Sequence, residues 1–171
     1  PAHRPTCQTA DRRDGTLPAR LARSVSMSIP VTSPIRVAHL LEQCWHRVPG
    51  GTAVAAVGLA RALHARPDVE VTGLTVRHRT GPPGHLDAGV PTVESRLPRA
   101  VLYESWHRLH RPVVDRLVGH PDLVHATGGA VPATDLPLVA TIHDLAWRRH
   151  PEIATQRGHR MFEAWLSDAR L

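Results

Sequence analysis

The feature that most limits what this chain can fold into is an alternation that begins at Ile35. Short runs of apolar and β-branched residues are each followed by a stretch with helical spacing. Such a pattern predicts a parallel sheet covered by helices on both faces. The first run, residues 35 to 41 (IRVAHLL), leads into a loop containing Pro49, Gly50 and Gly51. Thr52 is placed to cap the helix that follows, whose buried face is expected from Val54, Val57, Ala60 and Leu63, and Pro67 stops it. Residues 69 to 76 (VEVTGLTV) predict a second strand, and residues 90 to 94 a short third one. Leu102, Trp106, Leu109, Val113 and Leu117 then form an apolar stripe interrupted at Pro112, which fits either two helices or one kinked helix. Residues 122 to 126 (DLVHA) and 137 to 143 (PLVATIH) read as further strands, and Met161, Phe162, Trp165, Leu166 and Ala169 as a final helix.

Residues 1 to 34 have no such periodicity, and their Arg, Pro, Thr, Ser and Ala predict a disordered tail. A translation start at Met27 would make residues 1 to 26 upstream sequence; native peptides from that stretch would refute it. Residues 35 to 171 then form one domain, in the size range of a single core. All 21 basic residues are arginine, a bias typical of a GC-rich, bacterial type of genome. The net charge of +6 would point to nucleic acid. However, residues 1 to 34 hold five arginines against Asp11 and Asp14, which leaves the rest nearly balanced, so a nucleic-acid partner is disfavoured. Cys7 and Cys44 imply no disulfide framework. No run approaches the roughly 18 apolar residues of a membrane span, and the N-terminal region lacks the apolar core of a secretory signal. These features predict a cytoplasmic protein.

Pro49-Gly50-Gly51-Thr52 stands between a strand and a helix, where free N–H groups attract phosphate; it is equally readable as an ordinary turn. Neither a GxGxxG fingerprint nor a GxxxxGK[ST] loop occurs, which disfavours NAD enzymes and P-loop NTPases. Thr141-Ile142-His143-Asp144-Leu145 puts a histidine and an aspartate at the carboxyl end of a strand, the edge at which ligands bind in open parallel sheets. His125 ends the preceding strand, so two imidazoles converge on one rim. His107 and His110 share a spacing that suits a metal, but no carboxylate or cysteine completes a set, and no Asp-x-Asp pair occurs. Arg148-Arg149 and Arg157 with Arg160 read as solvated faces or as contacts for an anionic acceptor or lipid headgroup.

In their order, these segments resemble the N-terminal domain of family 4 glycosyltransferases. PGGTAVAAVGLARALHARPDVEVTGLTV is similar to that family's opening, and DLVHATGG, PLVATIHDL and HPE to its later stations, across residues 35 to 171. The resemblance implies a Rossmann-like three-layer α/β lobe with a mainly parallel sheet, half of a GT-B fold. It implies transfer of a sugar from a nucleotide-sugar donor to a glycan, lipid or small-molecule acceptor, with retention, without a cofactor and without an obligatory metal. It assigns Gly50, Gly51 and Thr52, with His125, to the donor diphosphate and acceptor, and His143 with Asp144 to the transferred sugar. It also implies a C-terminal donor-binding lobe with paired glutamates as a partner, without which little activity is expected. Peripheral membrane contact is compatible with it. Acceptor choice is expected from residues 78 to 89 and from Trp106, Arg108 and Arg111. The alternatives are a non-catalytic binding module, half of a split enzyme, or an inert fragment.

Overall fold

The computed structural model describes residues 33 to 169; most of the expected tail, with Cys7 and Met27, lies outside them. Five strands, β1 (Ile35–Leu40), β2 (Val69–Val76), β3 (Thr92–Ser95), β4 (Leu123–Ala126) and β5 (Leu138–Ala140), form one sheet in the order β3-β2-β1-β4-β5. Every neighbouring pair is parallel. The helices are α1 (Gly50–His64), α2 (Arg99–Leu109), α3 (Val114–Val118), α4 (Ala146–Arg149) and α5 (Gln156–Asp168). This is the expected Rossmann-like α/β architecture.

Successive strand residues face opposite ways, and the two cores show it. Ala38, Leu40, Leu74, Val76 and Val124 pack against Leu102 and Trp106 of α2 and Val114 of α3. On the other face, Leu41 and Val71 meet Ala53, Ala56, Val57 and Ala60 of α1. Alanines let α1 sit close to the sheet, so the buried face is narrower than expected: Val54 is exposed. Gly73 in β2 leaves room for Leu41 and Thr92, since a Cβ there would lie 2.8 Å from Leu41 Cδ1. Trp165 of α5 rests on Ala126 and Val131.

Several expectations are corrected. Thr52 is not the cap of α1. The helix begins at Gly50, whose φ of 61° is a left-handed value that suits glycine, and Ala53 N–H already bonds the Pro49 carbonyl. The interrupted stripe is two helices: His110 ends α2 in a left-handed conformation and Val113 starts α3 from extended backbone. Leu109 is exposed, whereas Trp106 is core, its indole N–H donating to the Pro112 carbonyl, so Trp106 has no exposed face. Residues 141 to 143 are loop rather than strand, because the chain turns and His143 bonds the Thr127 carbonyl. The last helix starts at Gln156, capped by the Thr155 hydroxyl, which accepts from Gly158 N–H at 3.0 Å. No helix among the described residues is long and apolar enough to cross a membrane.

Candidate functional site

The strand order reverses between β1 and β4. In an open parallel sheet the loops leave such a point in opposite directions and open a crevice beyond the carboxyl ends of the strands. A cleft of about 340 Å³ lies there. Its walls come from the segment after β1 (Gln43, His46), the start of α1 (Thr52), the loop after β4 (Gly128, Gly129) and the loop after β5 (His143, Asp144), closed by α4 and α5.

Of the residues singled out by sequence, the structure brings His143, Asp144 and Thr52 together on this cleft. Nε2–H of His143 must donate to the Thr127 carbonyl at 2.8 Å, since a carbonyl only accepts, so the neutral ring keeps Nδ1 as an acceptor. Asp144 accepts from Ala146 N–H at 2.8 Å and fixes the turn into α4. Gly50 and Gly51 are exposed and do not line the cleft, and a Cβ on either would meet nothing within 4 Å.

His125 is placed elsewhere, in a buried chain. His39 Nε2–H donates to the Ala56 carbonyl at 3.0 Å, which leaves its Nδ1 as an acceptor. His125 Nδ1–H must therefore donate to it at 3.2 Å, and His125 Nε2 accepts from the Thr141 hydroxyl at 2.8 Å. Burial holds the His39 imidazole down at about 4; the Ala56 bond opposes that shift and His125 adds a little to it. Burial lowers His125 as well, with a smaller contribution from His143. Both rings are thus structural neutral links under the cleft. His107 bonds Asp168 at 2.9 Å rather than pairing with His110.

Two features of the site were passed over by sequence reasoning. The first is Gly128-Gly129 after β4, both with positive φ. A Cβ on Gly128 would lie 2.8 Å from the Thr52 methyl and 3.8 Å from His143, while one on Gly129 would touch Tyr103. Gly128 is therefore what lets α1 and the loop after β5 approach each other. The pair lay in plain view in HATGG. The second is the 3-10 turn Glu42–Trp45, whose Glu42 and Gln43 are buried. Glu42 Oε2 accepts from the Thr75 hydroxyl at 2.6 Å and Val76 N–H at 2.9 Å, lies 3.0 Å from His78 Nε2, and Arg99 approaches Oε1 at 3.6 Å. The Gln43 amide NH2 donates to the Leu40 carbonyl at 3.2 Å and to Thr127 Oγ1 at 2.5 Å. The polar pair directly after an apolar strand is visible in the sequence, but its inward turn is not.

Orphaned polar atoms concentrate at this site. Among the described residues, five buried side-chain polar atoms lack a partner, and three of them, Gln43 Oε1, His46 Nε2 and Trp165 Nε1, belong to residues lining the cleft. An unpaired buried polar atom costs about 1–3 kcal/mol, so such a cluster is characteristic of a place where a ligand supplies the partners. Burial, and secondarily the Arg99 charge, lowers the His46 pKa against the opposing pull of Glu42. No family model matches the chain, and no curated protein and no solved structure matches it either.

Proposed function

We propose that this chain is the acceptor-side lobe of a retaining glycosyltransferase that moves a sugar from a nucleotide-sugar donor and works with a second, donor-binding lobe. The observation that carries the reading is the meeting of Thr52, Gly128 and His143 at the switch-point cleft, for these come from three segments far apart in sequence whose order is similar to that of the family. Transfer with retention passes through a sugar carrying oxocarbenium character, which fixed dipoles stabilise without reorganising. His143, anchored through Nε2–H on Thr127, presents a lone pair at Nδ1 and positions the transferred sugar without acting as a base. Asp144 holds the turn that keeps the imidazole in place. The donor diphosphate would be held by the second lobe and by the open backbone N–H groups at Gly50 and Gly51. In this reading no metal is required, and among the described residues no group of three or more His, Cys, Asp and Glu side chains is placed to hold one.

The test is sugar transfer by the full gene product, with the gene sequenced past codon 171. A reading frame for a second α/β lobe and transfer from a labelled nucleotide sugar are expected. His143→Ala should lower kcat roughly 10²-fold with donor affinity unchanged, the size typical of losing one stabilising donor or dipole. A product that transfers no sugar from any nucleotide sugar, or a His143→Ala variant as fast as the parent, would refute the reading.

A further inference from the structure

Three residues lining the cleft carry an orphaned polar atom, and two of these atoms, Gln43 Oε1 and Trp165 Nε1, have a fixed hydrogen-bond sense, whereas that of His46 Nε2 follows its tautomer. Gln43 is 2 % exposed, and both hydrogens of its amide are used on Leu40 and Thr127, so the unpaired Oε1 can only accept. Trp165 is 5 % exposed and its unpaired indole N–H can only donate. A ligand that satisfies both must offer a donor and an acceptor from one small frame, which hydroxyl groups do.

Charge narrows the class further. The 15 residues lining the cleft include no arginine, and Asp144 is the one formally charged side chain among them. Arg148 on α4 is engaged with Glu163, its Nε donating at 2.7 Å. Of the first turn of α1, Gly50 and Gly51 stand outside the lining and Thr52 alone brings an N–H to it, which is a partial dipole and no full countercharge. An anion buried here would lose its hydration without gaining a countercharge, which is unfavourable by several kcal/mol. The remaining wall is apolar and aromatic, with Trp147 and Phe162 rings 4.8 Å apart beside Trp165. A pocket of this kind fixes a ligand's orientation with a few polar groups and supplies contact area with the rest. A pyranose ring has that composition, with a face of C–H groups and a rim of hydroxyls.

We infer that the cleft binds an uncharged, hydroxyl-rich ring, a neutral saccharide, against Trp147, Phe162 and Trp165, with hydroxyls on Gln43 Oε1 and Trp165 Nε1. That this saccharide is the acceptor rests on the transferase reading; that the cleft selects a neutral sugar over a phosphorylated one does not.

The test is titration of the 171-residue chain, followed by the indole N–H resonances of its tryptophans. The probes are methyl glucoside, methyl mannoside, methyl galactoside, a neutral disaccharide, glucose 6-phosphate and inorganic phosphate. At least one neutral sugar should shift the Trp165 indole resonance with a Kd on the order of millimolar or tighter. The phosphate-bearing probes should leave that resonance in place. Trp165→Phe and Gln43→Leu should each weaken the neutral sugar about tenfold, the loss expected for one hydrogen bond in a dry site. Their amide spectra would report whether the fold is kept, and Gln43→Met, closer in length and flexibility to Gln, serves if Gln43→Leu does not fold. Arg96→Ala, outside the cleft, should change nothing. Preference for glucose 6-phosphate or phosphate at Trp165, or no shift with any neutral probe, overturns the inference. If the neutral sugar binds but the full gene product transfers none, the transferase reading fails and this one stands. Transfer to phosphorylated acceptors alone reverses that outcome.

Discussion

The carboxyl edge of the sheet is divided into two unlike halves. Beyond β1, β4 and β5 it is partly enclosed and nearly uncharged, with imidazoles, the Gln43 amide and indoles around about 340 Å³. Beyond β2 and β3 it is an open groove of about 650 Å³ lined by Arg77, Arg79 and Arg96 with His78. Arg77, Arg79 and Arg96 are exposed, and among the described residues no carboxylate lies within ion-pair reach of them. The two halves meet at Glu42, which follows β1 but is bonded to the end of β2 and approached by Arg99. The difference teaches that the net charge of the chain, +6, says nothing about the cleft. Guanidinium groups remain hydrated where the backbone leaves room, and the enclosed half relies on neutral groups because an unpaired buried charge is costly.

The largest effect is expected where the halves join. Glu42→Ala strands the Val76 N–H and the Thr75 hydroxyl in a dry site and should cost about 3–5 kcal/mol in urea unfolding. A cost under about 1 kcal/mol would mean that the halves are not held together there. Next comes the pH response of the enclosed half. An unfolded imidazole titrates near 6.5, whereas folded His39 is held at about 4. The unfolded state therefore takes up the proton first, and stability is full above pH 6.5. It should fall by about 3 kcal/mol as pH drops from 6.5 to 4. Unfolding midpoints measured across that range check it, and the drop should shrink in His39→Phe combined with His125→Phe.

Third, Gly128→Ala should cost about 2 kcal/mol, since its Cβ meets the Thr52 methyl at a φ of 151°. Gly84→Ala, away from the cleft and with nothing within 4 Å of its Cβ, should cost less than about 0.5 kcal/mol. Equal costs would erase the contrast. The smallest stability effect belongs to the basic groove. Arg77→Ala and Arg96→Ala should each change unfolding by less than about 0.5 kcal/mol, yet together lower the salt needed to elute the chain from a polyanionic resin.

The sheet was legible because parallel strands buried on both faces write themselves as apolar runs, as residues 35 to 41 and 69 to 76 do. The ends of elements were less so. Thr52 has the chemistry of a cap, but Gly50 permits an earlier start that propensity does not reveal. Val54 has the spacing of a buried residue, yet the alanines beside it pack closer. Within the site, His143 was readable from its place after a strand. Glu42 and Gln43 were not, because nothing in a local pattern tells that a polar pair after a strand turns inward to bond Thr75 and Thr127, residues 33 and 84 positions away. The buried bond of His125 was not legible for a related reason: its partner, His39, lies 86 residues away.

The chain of bonds from Thr141 through His125 and His39 to Ala56 has a single direction, because every donor in it is set by the one carbonyl at its end. Exchange of His39 alone for an apolar residue would leave the His125 N–H without an acceptor, and exchange of His125 alone would leave His39 Nδ1 without a donor. Removing both histidines leaves one exposed-side hydroxyl that can rotate. Positions 39 and 125 thus behave as a single inherited character, and substitution at either should be tolerated mainly when the other has already changed.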